Sequence, residues 1–365
     1  LMPHVRQKAA VVLIGPSRAG KTTLAKRLMQ IAQGLGKQAS YFDLEALGAP
    51  NSAQALELEI EKTPPKSLIV LDEAQILDGW IKVVRGQVEE GKRNIIVSGS
   101  SASLLSAEVA TSLGGRAIPE TILPISYSDA RAWGLKTLAQ YMEVGGYPEC
   151  VMHPDGAARL HKTYLELTVL RDVAARKNIR ETKPLSDLAL ILLSEPGKRI
   201  SAKKTSAMLG ITQPTFRSYA QGLNDAYLIL SVLPYARSPR ERIIADAKHY
   251  AYDTGLAKSV SVPNENFGRR LENIVALELV RRGYGISYHL DGDMECDFIA
   301  QKIGGTPLAI QVWMGEGKPP ERELEGLKAG MRVAHAEGLL LSLGRAEGLP
   351  AWAKSDTIEK WLLGA

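Results

Sequence analysis

The chain has 365 residues, 45% apolar and 23% charged, with a formal net charge of +5 and a pI near 9.0. That is ordinary globular composition for two or three domains and excludes a disordered or fibrous chain. No apolar run approaches the ~20 residues of a bilayer span, and the longest, such as Leu188–Leu193, are core-sized. The mild positive charge makes its placement more informative than its total. No charged-then-apolar secretory leader is read at the start, and Cys150 and Cys296 are isolated. A Cys-rich metal site is thereby excluded, a disulfide framework is not expected, and a reducing cytoplasm is the expected location.

From Ala9 to about Leu123, the apolar runs AAVVLI, QASYFDL, SLIVLD, NIIVSG and AIPETIL alternate with helix-like stretches. Strands alternating with helices predict a parallel α/β sheet. Pro124 to about Pro184 reads helical, broken at Gly145-Gly146 and Pro154. Gly197 to about Pro239 reads as small helices and an apolar run, rich in Lys and Arg. From Arg240 onward α/β character returns, with a long amphipathic helix near Arg269–Arg282, strands, a helix from about Pro320 and a final strand LLLSL. SPRER (Ser238–Arg242) reads as an inter-domain joint and GEGKPP (Gly315–Pro320) as a loop.

The sharpest signal is Gly15-Pro16-Ser17-Arg18-Ala19-Gly20-Lys21-Thr22, with Thr23 behind it, which fits GxxxxGK[ST]. A strand runs into it and a helix runs out. That is the geometry in which backbone N–H groups and a helix N-terminus cradle phosphates. Lys21 is expected at the β- and γ-phosphates and Thr22 on Mg²⁺. The apolar strand Leu68–Leu71 ends in Asp72-Glu73. A buried strand has no structural use for two acids at its tip, but a nucleotide site there does. Asp72 is expected to hold Mg²⁺ through water, and Glu73 to polarise the attacking water. The next strand ends in Ser98-Gly99-Ser100-Ser101. Ser98 and Ser100 both qualify to orient that water, and an ordinary Ser/Gly turn stays open for either. Gly114-Gly115-Arg116 precedes the following strand, and Arg116 is the first choice for an arginine reaching a neighbour's γ-phosphate, with Arg131 second; an internal ion pair is the alternative.

On these residues the chain resembles the prokaryotic AAA+ type ATPases in which a P-loop domain precedes a conserved domain of unknown function. The resemblance covers nearly the whole chain. It rests on the phosphate loop, LIVLDEAQ (Leu68–Gln75), SGSS (Ser98–Ser101), GGR (Gly114–Arg116) and LPIS (Leu123–Ser126). It continues through GGYPE (Gly145–Glu149), YLELTVLRDV (Tyr164–Val173), YDTGL (Tyr252–Leu256), LEN (Leu271–Asn273) and ECDF (Glu295–Phe298). It implies an α/β fold with a five-stranded P-loop core, a helical lid, a winged helix-turn-helix and a C-terminal α/β domain like the restriction endonucleases. Its expected boundaries are 1–128, 129–184, 185–240 and 241–365. It also implies a ring, favouring a hexamer, with ATP and Mg²⁺ as ligands.

Between Pro196 and Arg242 stand eight basic residues, Lys198, Arg199, Lys203, Lys204, Arg217, Arg237, Arg240 and Arg242, against the acids Asp225 and Glu241. That local excess of 8 − 2 = 6 exceeds the chain's net +5. An apolar helix, a turn at Gly210 and a second helix from about Gln213 suit a winged helix-turn-helix, with Gln213, Thr215, Arg217 and Ser218 opening the second helix. DNA contact through the backbone or through shape is expected, and a packing role is the alternative. Farther on, Glu272 on a helix, Asp297 on a strand and Gln311-Val312-Trp313 on the next follow the order of the PD-(D/E)xK nucleases. Gln311 stands where an acid belongs and Trp313 where a lysine belongs, so a degenerate site is expected. His153, His161, His249 and His289 show no metal-ligand spacing. The expected activity is ATP hydrolysis coupled to binding or remodelling DNA, branched DNA included. The alternatives are an ATP-dependent switch on DNA or a protein partner, and an ATP-gated nuclease.

Overall fold

A computed structural model describes residues 9–99, 111–236, 238, 241, 245–261 and 267–364. The chain divides into two compact units, residues 1–123 with Asp225–Tyr227, and residues 124–224 with 228–365. The three regions expected at 129–184, 185–240 and 241–365 thus fall within the second unit, apart from Asp225–Tyr227.

The first unit runs β1 (Ala10–Ile14), α1 (Lys21–Gly34), β2 (Ala39–Asp43), α2 (Ala53–Glu61), β3 (Leu68–Asp72), α3 (Trp80–Glu90), β4 (Asn94–Ser98) and β5 (Ala117–Thr121). All five strands are parallel, in the order β2-β3-β4-β1-β5. Central strands covered on both faces must be apolar throughout, and β1 and β3 are fully buried. The edge strands β2 and β5 are only half-buried, and Pro119 is tolerated because β5 is an edge. Helix α1 lays Ala25, Leu28 and Ala32 on Val11, Leu13, Val70 and Ile96, the spacing of one helical face. Because β4 lies between β1 and β3, the carboxyl ends of these three strands share one edge, where such sheets bind ligands.

The second unit begins with α4 (Tyr127–Ala132), α5 (Leu138–Val144), α6 (Pro148–Met152), α7 (Ala157–Leu167), a π-helical stretch (Thr168–Ala175) and α8 (Lys183–Ser194). Then come β6 (Arg199–Ile200), α9 (Ala202–Met208), α10 (Gln213–Asp225), β7 (Ile229–Val232), β8 (Ala247–Ala251), α11 (Thr254–Val260) and α12 (Phe267–Arg281). It closes with β9 (Gly285–Asp291), β10 (Met294–Gln301), β11 (Leu308–Trp313), α13 (Glu321–Ala334), β12 (Glu337–Ser342), β13 (Ala353–Thr357) and α14 (Ile358–Leu363). The strand LLLSL is therefore not the last element. A mixed sheet has the order β13-β12-β11-β10-β9, and β6-β8-β7 form a small antiparallel sheet. Leu271, Ile274, Val275 and Leu279 of α12 join Phe298, Ile310 and Leu341 in one core, while Leu327 and Ala334 of α13 join Cys296, Ile299, Ala309 and Leu340 in another. No helix among the described residues is long and apolar enough to cross a membrane.

Two sequence motifs meet at Asp253. Its Oδ2 accepts from the backbone N–H of Gly146 (2.6 Å) and Tyr147 (3.2 Å), and its Oδ1 accepts from Leu256 N (2.9 Å), capping α11. A Cβ at Gly145, at φ +75°, would collide with this carboxylate. Asp253→Ala leaves these buried donors without an acceptor and is expected to cost about 3 kcal/mol or more. Chemical denaturation checks this, and a loss below about 1 kcal/mol contradicts it.

His249 on β8 is buried, with Nδ1 3.1 Å from Ser231 Oγ. Burial lowers its pKa from 6.5 to about 4. The unfolded chain therefore holds more proton between those two values, and stability falls as pH drops through that window, by about 3 kcal/mol at most. His249→Gln is expected to flatten that part of the stability–pH curve, and an unchanged slope contradicts the assignment.

Candidate nucleotide site

The loop after β1 is shaped before any ligand enters. Gly15 sits at φ +138°, where a Cβ would collide with the Ile122 carbonyl oxygen. Arg18, with an ordinary side chain, is held at φ +67°, a conformation that costs ~1 kcal/mol or more and persists where its surroundings impose it. Helix α1 then starts with no side-chain cap and no acid in its first turn, with Gly20 at the N-cap. Ser52, Ser126, Thr137 and Asp253 cap α2, α4, α5 and α11. An N-terminus without a side-chain cap presents its positive end to an anion.

Lys21 is buried, and its Nζ donates to the carbonyls of Gly15 (3.0 Å) and Pro16 (2.7 Å), so the ammonium is held at the loop. Thr22 Oγ1 donates to Asp72 Oδ2 at 2.7 Å. Tyr41 on β2 donates to the same oxygen at 2.5 Å, and Ser98 at the tip of β4 donates to Asp72 Oδ1. Burial alone would raise the Asp72 carboxyl, but the hydrogen bonds from Ser98, Tyr41 and Thr22 outweigh it and hold it below the usual carboxylate range. Burial and the neighbouring Asp72 push the Tyr41 hydroxyl well above its ordinary value, so it stays a donor. Glu73 follows at φ +51°, and Gln75 Nε2 donates to Glu73 Oε2. Pro16, Ser17, Ala19 and Thr23 lie in the same loop and first helical turn.

The structure thus brings Lys21, Thr22, Asp72, Glu73 and Ser98 to one sheet edge. Ser100 lies outside the described residues. Arg116 does not join them. It precedes β5, which runs parallel to β1 with Ala117 beside Ala10 and Thr121 beside Ile14. The phosphate loop follows Ile14, so Arg116 is about 15 Å away along the strands. It pairs with Glu89 at 3.2 Å and is 43% exposed. It cannot serve its own chain's loop. Arg131 is bonded to Tyr127 OH (3.0 Å) and Glu359 (3.1 Å) in the second unit. Sequence reasoning missed Tyr41 and Gln75. The first sits in an unremarkable strand, and the second lies in LIVLDEAQ with no role read for it.

Residues 7–130 match the AAA domain family, and residues 135–266 match a domain of unknown function (DUF8612). An uncharacterized protein of Methanocaldococcus jannaschii is 31% identical over 335 residues, spanning 82% of this chain and 74% of that protein. The chain belongs to that protein's family. An uncharacterized protein of Haemophilus influenzae, 28% identical over 330 residues, spans 82% of this chain and 81% of its own length. AMPPCP-bound DnaA from Aquifex aeolicus superposes with a TM-score of 0.31 and 12% identity over 60% of this chain and 83% of that one; at this level the likeness assigns nothing. The AAA match thus falls on the first unit, whose five-stranded parallel sheet carries the loop Gly15–Thr22.

A second cluster lies in the other unit. Lys248 Nζ on β8 is 2.8 Å from Glu272 Oε1, 2.6 Å from Glu295 Oε1 and 3.5 Å from Asp297 Oδ1. A lysine thus stands among these acids, supplied by β8 and not by the position of Trp313. Asp297 sits at a register shift between Cys296 and Ile299, where a bulge re-aims side chains. Burial and the nearby Glu272 push the Asp297 carboxyl well above the usual range. Burial would lower the Lys248 ammonium, but Glu272, Tyr250, Asp297 and Glu295 hold it well above its ordinary value. Gln311 Nε2 donates to Glu323 (2.8 Å), and its Oε1 accepts from Asp297 N (3.3 Å), so its amide is already engaged. These acids line a cleft of about 480 Å³. Among the described residues, no three acids, histidines or cysteines are arranged to hold a metal ion.

Of the basic residues, Lys203 and Lys204 on α9 and Arg217 on α10 are exposed, as are Arg199 and Gln213, while Thr215 is half-buried and bonded to Thr212 (2.8 Å). Lys198 is spent on Glu195 at 2.6 Å, which trims the local excess of charge. Arg237, Arg240 and Arg242 lie outside the described residues.

Proposed function

We propose that the protein is a Mg²⁺-dependent ATPase that couples hydrolysis to binding or remodelling DNA. The observation that carries the ATPase reading is the chain of contacts from Thr22 to Asp72 to Ser98, beside Lys21 and Glu73 on one sheet edge. One hydroxyl and one hydrogen-bonded carboxylate fit Mg²⁺, which takes its remaining ligands from phosphates and water. Thr22 and Asp72 would hold it, and the ion supplies charge neutralisation at the phosphates. The loop N–H groups and Lys21 bind the β- and γ-phosphates. Glu73 takes a proton from the water attacking the γ-phosphorus in line, and ADP leaves. Ser98 orients Asp72. Arg116, too far from its own loop, acts on a neighbouring copy, which calls for a ring, a hexamer favoured.

The DNA reading rests on Lys203, Lys204 and Arg217 exposed on α9 and α10. Three helices, α8 to α10, with the small sheet β6-β8-β7, support a winged helix-turn-helix there. The test is ATP turnover with single-stranded, duplex and four-way-junction DNA. One form is expected to raise turnover several-fold, and Lys203→Glu with Lys204→Glu to abolish that rise while leaving basal turnover unchanged. The pair should also lower the salt slope of DNA binding by about 2. Turnover indifferent to every DNA contradicts the coupling and favours an ATP-dependent switch on a protein partner.

Lys248 among Glu272, Glu295 and Asp297 favours a second reading, an ATP-gated nuclease. Mg²⁺-dependent cutting that Asp297→Ala abolishes would support it. A wild-type chain that leaves every DNA intact removes it.

A further inference from the structure

The turn after β3 is strained in a way that serves one contact. Glu73 is held at φ +51°, and a 3₁₀ turn, Ala74–Ile76, starts at once, closed by Ile76 N on Glu73 O at 3.0 Å. In a regular helix, side chains two residues apart do not face each other. Here the turn lets Gln75 reach back two residues, and its Nε2 donates to Glu73 Oε2. The opposite amide assignment would set two acceptors against each other, so the donor faces the carboxylate. That leaves Gln75 Oε1 buried with no hydrogen-bond partner among the described residues. A buried acceptor without a donor is costly and calls for an explanation.

Hydrolysis at this site supplies one. A water attacking the γ-phosphorus gives one proton to the Glu73 carboxylate as its oxygen bonds to phosphorus and the bond to the ADP oxygen breaks. Its second O–H needs an acceptor that does not compete for the proton. A neutral amide oxygen beside Glu73 is such a group. With both O–H bonds directed, the lone pair faces phosphorus, which is the benefit of positioning.

We propose that Gln75 is a positioning residue for hydrolysis, its Nε2 fixing the Glu73 carboxylate and its Oε1 accepting the second O–H of the attacking water. The inference rests on the ATPase reading. A residue that only braces the turn would alter melting or nucleotide affinity. A positioning residue alters kcat alone.

The test uses the full chain with Gln75→Ala, Gln75→Glu and Glu73→Gln, measuring melting temperature, affinity for a non-hydrolysable ATP analogue, KM, and kcat against pH. Gln75→Ala is expected to lower kcat by about 10- to 100-fold, with KM and analogue affinity within about twofold of wild type. Gln75→Glu keeps the side chain's shape and so decides the matter if the alanine variant melts early. It is expected to lower kcat at pH 7 by about 10-fold or more, with KM within about twofold, because a carboxylate in place of the neutral amide oxygen competes with Glu73 for the proton of the water. Turnover of both variants at or above the wild-type rate overturns the inference, as does a loss of kcat matched by a loss of affinity. If Glu73→Gln hydrolyses ATP as fast as wild type, the ATPase reading itself fails. If Glu73→Gln is inactive while the Gln75 variants keep full turnover, only the role of Gln75 falls.

Discussion

Lys21→Ala is expected to abolish ATP hydrolysis and to weaken ATP binding by about 30- to 150-fold. The binding figure follows from losing one charge-assisted contact to phosphate, ~2–3 kcal/mol. The loss in turnover is larger, ~10³-fold, because in the proposed reaction the same ammonium would stabilise charge that grows on the γ-phosphate in the transition state. Lys21 is buried and bonded to the Gly15 and Pro16 carbonyls, so the variant also frees two loop acceptors. A melting curve separates that effect from the electrostatic one. Titration with a fluorescent ATP analogue and a phosphate-release assay check the two numbers. Affinity within about threefold of wild type would mean that the loop does not bind phosphate.

Lys248→Met is expected to destabilise the second unit by about 3–5 kcal/mol at pH 7. It removes the ammonium that bridges Glu272, Glu295 and Asp297 and leaves mostly buried carboxylates to repel each other. Glu295, a third exposed, contributes least. The cost should shrink as pH falls and the carboxyls take up protons, since an uncharged carboxyl no longer needs the ammonium. Adding Glu272→Gln to Lys248→Met is expected to recover about 1 kcal/mol or more. Hydrogen exchange of β8 and β10 amides reads this locally, which matters in a chain of two units where global unfolding need not be two-state. A loss below about 1 kcal/mol would mean that water already screens the cluster.

What could be read in advance follows physical range. The phosphate loop was legible because its chemistry is local, with a strand, a loop and a helix contiguous in the chain. Asp72 and Glu73 were legible because two acids at the tip of an apolar strand contradict burial. Tyr41 was not, because its reach to Asp72 depends on β2 pairing with β3. Lys248 was not, because it stands 24 residues before Glu272 and meets it only when β8 packs beside α12. The strand β13 was missed because AKSDT is polar, as an edge strand allows. Arg116 was read as a neighbour's finger from its place before a strand, and the register of β5 on β1 supplies the reason it cannot serve its own loop.

The edge formed by β1, β3 and β4 is the proposed site of ATP hydrolysis. Phosphate release from ATP and Mg²⁺ by the full chain, wild type beside Glu73→Gln, tests it most directly. Steady turnover by the wild type and a fall of about 100-fold or more in the variant are expected, with ATP still bound by both. No turnover by the wild type, or equal turnover by the two, would contradict it.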